Sequence, residues 1–120
     1  MTAPEFWTDE RCFITELVNV ESLPNASLAR CRVEPGTLTQ KHALTVREWY
    51  VIIAGTGEMF VGDARSFPVA PGDVVDIPAN TSQQIHNTGE HDLVFHCLCM
   101  PRFSETCYRS LEDDPSGELS

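Results

Sequence analysis

Residues 42–55, which read HALTVREWYVIIAG, place a histidine and a glutamate at a spacing that suits chemistry. Successive side chains of a β-strand point to opposite faces, so His42 and Leu44 share one face. Glu48 and Tyr50 share one face of the next strand for the same reason. Imidazole nitrogen and carboxylate oxygen suit either a divalent transition metal or proton transfer without a metal. Leu44 cannot ligate, yet it stands where a metal-binding strand of this shape would carry a second histidine.

A second stretch, GDVVDIPANTSQQIHN over residues 72–87, adds an amide to this set. Gln83 can offer a carbonyl oxygen to a metal, or it can line a pocket and bond a substrate or His42. In a regular strand His86 points away from the face of Gln83, and only a β-bulge would bring it in. His96 lies in the apolar segment LVFHCLCM, where a lone histidine is more often a core or interface residue than a ligand.

Together the two stretches resemble the paired motifs of the cupin family. The first motif is matched by the spacing between Gly36, His42, Glu48 and Gly55, and the second by the spacing of the residues in the stretch that begins at Gly72. The likeness covers residues 10–112 and is strongest to small single-domain bacterial cupins of the cupin 2 conserved barrel family. It implies an all-β double-stranded β-helix, a jelly-roll barrel. The family's metal ligands map onto His42, Leu44, Glu48 and Gln83, which implies a site for Fe, Mn, Ni or Zn that keeps His42, Glu48 and Gln83.

The elements that would position these residues are short strands separated by turn signals, the pattern of a sandwich or barrel. Helix evidence is limited to a C-terminal turn in FSETCYRSLEDD, with Ser104 as its expected N-cap. We expect one domain over residues 1–120, with its barrel core at about 10–103 and a disordered tail at 113–120. The expected strands are 12–18, 27–34, 39–44, 48–55, 57–62, 65–70, 73–78, 82–88 and 93–100.

The charge, hydropathy and cysteine content of the chain argue against some classes of function and partner. The formal net charge of −10 argues against nucleic acid and anionic membrane as partners. The acids near both chain ends, Glu10 among them, are expected to form a solvated fringe. No apolar run is long enough to span a bilayer, and the acidic start does not resemble an export signal, so a cytoplasmic location is expected. Five cysteines, an odd number, predict reduced thiols, with Cys97 and Cys99 as core residues.

Two functions from different classes follow, and a third, broader reading is an interaction protein whose barrel is packed shut, against which the inward Glu48 and Gln83 count. The first is a metal-binding enzyme that isomerises, eliminates or oxygenates a small hydroxy acid, keto acid or sugar-like molecule. Its catalytic residues would be His42, Glu48 and Tyr50, and its metal ligands His42, Glu48 and Gln83. A His–Glu pair acting as acid and base without a metal is a variant of this reading. The alternative is a non-catalytic barrel that binds a small molecule at a degenerate metal site. Small cupins resemble proteins that pair through sheet faces, which implies a homodimer.

Overall fold

The computed structural model describes residues 3–112, which form eleven β-strands and one turn of 3-10 helix. All strand pairs in this range are antiparallel. In chain order the strands are β1 (Glu5–Thr8), β2 (Cys12–Val18), β3 (Ser27–Val33), β4 (His42–Leu44), β5 (Arg47–Ala54), β6 (Gly57–Val61), β7 (Phe67–Val69), β8 (Val74–Ile77), β9 (Gln83–Asn87), β10 (Leu93–Met100) and β11 (Tyr108–Ser110).

The strands form two sheets. One has the order β1-β2-β3-β10-β5-β8, and the other has the order β11-β4-β9-β6-β7. Strands distant in sequence, such as β3 and β10, are neighbours because the chain passes back and forth between the sheets. This is the double-sheet arrangement of a jelly roll, which leaves few unprotected strand edges. The all-β jelly-roll barrel predicted from the sequence is confirmed.

The core is built from alternate residues of the strands, as the two-residue period of a strand requires. In β5, Glu48, Tyr50 and Ile52 are buried, whereas Arg47 is exposed and Trp49 is half-buried. Apolar side chains fill most of the interior and exclude water from it. The fully buried apolar side chains include Ile52, Met59, Ile85, Leu93 and Phe95. Glu48 and Gln83 are among the few polar residues buried with these apolar side chains.

A tight turn at Gly55 holds β5 in place. Gly55 has a φ of +83°, and a Cβ atom there would lie 2.6 Å from the backbone oxygen of Asp92. Glycine suits both features, since it adopts a positive φ without strain and has no Cβ to meet that oxygen. The turn thus docks against the start of β10, which pairs along the length of β5 and brings Cys99 opposite Glu48.

The chain ends differ from the sequence-based expectation. Strand β1 was not predicted, and β4 begins at His42 rather than at residue 39. The predicted C-terminal helical turn is present at Glu105–Cys107, but β11 follows it directly and pairs with β4. Ser104 does not cap this turn through its side chain. Its hydroxyl instead pairs with that of Thr106, at 2.9 Å.

Strand pairing extends from residue 5 to residue 110, beyond the expected core limits of 10 and 103. The predicted disorder at 113–120 falls outside the described residues. Within residues 3–112, no helix has the length and apolar character that crossing a membrane requires.

Candidate functional site

A cavity of about 920 Å³ opens at one end of the barrel, between the two sheets. Its floor carries side chains from two consecutive strands and from a third strand about forty residues further along the chain. β4 supplies His42 and Leu44, and β5 supplies Glu48 and Tyr50. β10 adds the buried thiols of Cys97 and Cys99. The structure therefore brings His42, Glu48 and Tyr50 to one cavity, as the strand alternation predicts.

His42 is held in a single orientation. Its Nδ1 lies 2.9 Å from the backbone oxygen of Gln40. A carbonyl oxygen can only accept, so Nδ1–H donates this bond and Nε2 carries the lone pair in the neutral ring. The imidazole also stacks on the ring of Tyr108, with centroids 4.8 Å apart and an angle of 17° between the planes. His42 thus presents a fixed, basic Nε2.

Glu48 is a buried carboxyl group with one unsatisfied oxygen. The residue is 6% exposed, and Oε1 has no hydrogen-bond partner among the described residues. Oε2 accepts a long bond from the Cys99 thiol, at 3.7 Å. Burial raises the pKa of Glu48 to about 7, an effect that the amide of Gln83 opposes and the negative charge of Glu10 reinforces. Near neutral pH the group can therefore both donate and accept a proton.

Gln83 supports this floor from behind and does not line the cavity. It is 1% exposed, and its Oε1 accepts a hydrogen bond of 2.6 Å from the Tyr50 hydroxyl. Its Nε2 has no hydrogen-bond partner among residues 3–112, although the amide lies close enough to Glu48 to lower the pKa of that carboxyl group. Tyr50 stacks on Phe95 with ring centroids 4.4 Å apart, and burial raises its pKa well above the ordinary value. Tyr50 is therefore a neutral hydrogen-bond donor fixed to Gln83.

The donor set does not fit the transition-metal site expected from the sequence. Leu44 is 3% exposed and packs with Cys99 and Cys107, so it fills space. The carbonyl oxygen of Gln83 is already bonded to Tyr50, and the amide lies outside the cavity lining. In the described part of the chain, no three His, Cys, Asp or Glu side chains converge to hold a metal ion. Metal binding at His42, Glu48 and Gln83 remains an untested prediction, and the chemistry proposed for the cavity does not depend on it.

The thiols give the cavity an apolar, polarisable wall. All five cysteines are free and buried. The sulfurs of Cys31 and Cys97 lie 3.4 Å apart across neighbouring strands. Burial raises the thiol pKa of Cys97 and of Cys99, so both stay protonated near neutral pH. Neutral buried thiols behave as small hydrophobic groups, which agrees with the expectation that Cys97 and Cys99 are core residues.

Glu10 is a site residue that the sequence did not reveal. It was expected to belong to a solvated fringe, but it is half-buried in the turn between β1 and β2 and lines the cavity. Its backbone oxygen accepts a 2.9 Å hydrogen bond from the Gln40 amide, two residues before His42. Burial raises the pKa of Glu10, and the charge of His42 opposes that effect. No local motif marks Glu10, because its position depends on a contact about thirty residues along the chain.

The other histidines stay outside the cavity. β9 is a regular strand without a bulge, so half-buried His86 faces away from Gln83 and bridges Leu38. His96 is half-buried on the outer face of its sheet, opposite Arg30 and Val51. Neither residue lines the cavity.

A two-sheet jelly roll with polar groups converging at one open end is an architecture that holds small ligands. The family model described as Cupin domain matches residues 29–100. The chain therefore belongs to the cupin family, and its fold is the double-stranded β-helix.

Relatives with known names or structures are distant. Auxin-binding protein 1 of Arabidopsis thaliana is 28% identical in an alignment 67 residues long, and the match covers 49% of this chain and 34% of the relative. The chain thus spans about a third of the length of that curated relative. Streptomyces PAC13, solved with uridine and named a nucleoside dehydratase, has a TM-score of 0.77 at 20% identity, covering 92% of this chain and 86% of its own. An uncharacterised double-stranded β-helix protein of Klebsiella pneumoniae has a TM-score of 0.74 at 13% identity, covering 88% and 89%.

Proposed function

We propose that the protein is an enzyme that moves protons on a small, hydroxylated, sugar-like molecule, catalysing isomerisation or elimination. The observation that carries this proposal is the pair of groups on the cavity floor. In its neutral form His42 presents the lone pair of Nε2, with the ring fixed through its Nδ1–H bond to Gln40, and Glu48 presents a buried, unpartnered carboxyl oxygen. A base and an acid that line one cavity form a general acid–base device.

In an elimination, Nε2 of His42 would remove a proton from a carbon beside a carbonyl group. The electron pair left on that carbon forms a carbon–carbon double bond as the hydroxyl on the next carbon leaves. Glu48, protonated in part of the molecules near neutral pH, gives its proton to that hydroxyl, and the products are an alkene and water. General acid–base catalysis of this kind contributes roughly 100-fold to 10,000-fold in rate.

Tyr50 and Gln83 act on Glu48 rather than on the substrate in this scheme. The Tyr50 hydroxyl orients the Gln83 amide through the 2.6 Å bond, and the amide N–H faces the carboxylate region. Tyr50, expected from the sequence to be catalytic, is thereby a positioning residue.

The named relatives fit a small-molecule role in general terms only: one is called an auxin-binding protein and another a nucleoside dehydratase.

Solvent deuterium exchange tests the proposal across many candidate substrates at once. The full-length protein is incubated in D₂O with a panel of aldoses, ketoses and oxidised nucleosides, and deuterium at carbon is read by NMR. We expect exchange on at least one compound, with a loss of 100-fold or more in His42→Asn and in Glu48→Gln. His96→Asn and Glu34→Gln, which change the same residue types outside the cavity, serve as controls. Exchange that survives in His42→Asn would refute the role of the base.

The same assay tests whether the activity requires a metal ion. Exchange is measured after treatment with a chelator and again after addition of Fe²⁺, Mn²⁺, Ni²⁺ or Zn²⁺. Activity that persists with the chelator supports acid–base catalysis by the side chains. Activity that appears only with one ion would support the metal site predicted from the sequence and contradict the present proposal.

The second candidate is a binding protein without catalysis. It is favoured by Leu44 and the neutral thiols of Cys97 and Cys99, which give much of the floor an apolar surface suited to holding a ligand. Saturable binding of a compound that undergoes no exchange would support this reading.

We also propose that two copies pair through the outer face of the six-stranded sheet. In this face Val51 lies opposite Val74, which is 63% exposed, and Trp49 lies opposite Leu98. Adjacent apolar side chains on a sheet face favour association. We expect a dimer by light scattering in the wild type and a monomer in Val74→Glu. Val20→Glu, in a loop, is the control, and a monomeric wild type would contradict the pairing.

A further inference from the structure

The cavity carries an excess of negative charge. Of the described side chains that line it, six are carboxylic acids and one is an arginine. The acids are Asp9, Glu10, Glu16, Glu21, Glu48 and Glu105. The arginine, Arg102, donates a hydrogen bond of 2.8 Å from Nε to Asn19. Acids on several different strands and loops thus surround one opening, in a chain with a net charge of −10.

A second observation points from this charge to a ligand. Glu48 is only 6% exposed, it lines the same cavity, and its Oε1 has no partner among the described residues. A carboxylate removed from water needs hydrogen-bond donors or a cation; the Cys99 thiol reaches Oε2, but no described residue supplies a partner to Oε1. Oε1 is therefore free to accept a hydrogen bond or a cation from a molecule that enters the cavity.

We propose that the cavity selects a ligand that carries a protonated amine, which binds Glu48 below a ring of further carboxylates, and that it rejects carboxylates and phosphates. The inference rests on the proposed function, because the amine would belong to the substrate of the same site. Glu48 paired with an ammonium group is ionised, so for such a substrate the ammonium N–H, and not Glu48, would give the proton to the leaving hydroxyl. A neutral hydroxyl could bond to Oε1 as well. The surrounding acids distinguish the two, since they attract a cation and repel an anion while leaving a neutral group unaffected.

The remaining walls restrict the ligand further. The thiols of Cys97 and Cys99 and the side chain of Leu44 offer an apolar surface to a carbon skeleton. Nε2 of His42 offers an acceptor to a hydroxyl or an acidic C–H group. About 920 Å³ is ample for a molecule of monosaccharide size and reaches the range of typical ligand pockets. The class that fits is a small amino alcohol or amino sugar. An anionic hydroxy acid or keto acid, one of the substrate classes expected from the sequence, fits poorly.

Matched ligands that differ only in charge test this selection. Amide chemical shifts of the isotope-labelled full-length protein are followed by NMR during titration with D-glucosamine, D-glucose and D-glucuronate at pH 7. A second series uses 2-aminoethanol, ethylene glycol and glycolate. We expect the amine of at least one series to bind at least 10-fold more tightly than its neutral counterpart, with shifts at residues of the cavity floor. We expect no saturable binding of either acid.

Substitutions of single carboxylates test which of them cause the preference for the amine over the neutral compound. Glu48→Gln should reduce the preference for the amine over the neutral compound by 10-fold or more, and Glu10→Gln should reduce it by a smaller factor. Glu34→Gln removes an exposed carboxylate outside the cavity and should leave the preference unchanged. Added salt should weaken the contribution of Glu10 more than that of Glu48, because exposed charges are screened more strongly than buried ones.

The inference is overturned if both amines bind no more tightly than the neutral compounds, if neither amine binds, or if an acid binds most tightly. Such a result leaves the proposed reaction standing when deuterium exchange on a neutral sugar still depends on His42. Conversely, amine binding without any exchange would retain the charge selectivity and refute the catalytic proposal.

Discussion

Replacing Glu48 by glutamine should stabilise the protein, and by more at high pH than at low pH. The pKa of this carboxyl group rises from an ordinary 4.5 to about 7 because burial disfavours its charged form. A pKa difference of one unit corresponds to about 1.4 kcal/mol, so ionised Glu48 costs the folded state about 3 kcal/mol. Glutamine has nearly the same shape and no charge, and it removes this cost.

The direction of the pH dependence follows from the protonation states. The folded state holds the proton of Glu48 more tightly than the unfolded state does. The stability of the wild type is therefore greatest below pH 4.5 with respect to this group, and it is lost as the pH rises through about 7. We expect Glu48→Gln to add about 1 kcal/mol at pH 5 and about 3 kcal/mol at pH 8.

Urea denaturation of both proteins from pH 5 to pH 8, with a reductant present for the thiols, measures the difference. Glu34→Gln removes an exposed carboxylate and should change the free energy of unfolding by less than about 0.5 kcal/mol at any pH. An equal effect of Glu48→Gln at pH 5 and pH 8 would show that a cation or donor already neutralises the cost. Glu48 would then not be an unpartnered carboxylate, and a cationic ligand could no longer be predicted from it.

Three further outcomes can be checked on the same protein. Tyr50→Phe should lower the free energy of unfolding by about 1–3 kcal/mol in urea, since it leaves the buried Oε1 of Gln83 without a donor; an unchanged value would contradict that bond. Gly55→Ala should destabilise more than Gly72→Ala, because both have positive φ but only Gly55 has an atom, 2.6 Å away, that a Cβ would strike. In native protein a thiol reagent should modify the five buried cysteines slowly, and in denaturant it should modify all five quickly; rapid native labelling would contradict their burial.

The barrel interior was largely predictable because it depends on local rules. The two-residue period placed Glu48 and Tyr50 on the inner face, and it correctly turned His86 outward. In each case the residue's own neighbours along the chain determine its orientation, so the pattern and the structure agree.

The rim of the cavity, by which we mean the lining residues from the two ends of the chain, could not be predicted, because its position depends on contacts between residues far apart in the sequence. Strand β11 joins the barrel by pairing Tyr108 with Leu44, and nothing within FSETCYRSLEDD specifies a partner that far along the chain. Glu10 reaches the cavity through a hydrogen bond to Gln40, which a sequence pattern cannot indicate. Gln83 shows another limit of prediction from sequence. The alternation along a strand predicts which face of the sheet a side chain is on, but not whether the side chain reaches the cavity surface or lies beneath it. The pattern could not show that Gln83 would lie behind the cavity lining.

The division between floor and rim has an evolutionary consequence. The segment matched by the family model, residues 29–100, contains His42 and Glu48, whereas Glu10, Glu105 and Tyr108 lie outside it. Tyr108 stacks on His42, and Glu10 acts on the pKa of Glu48. In the described part of the chain, however, Glu105 makes no hydrogen bond to either reacting group, so mutations there can change which molecules are admitted while leaving the reacting groups in place. Homologues with the same floor could thus diverge in substrate. Grouping them by their first and last strands should sort them by ligand better than a comparison of the shared segment alone.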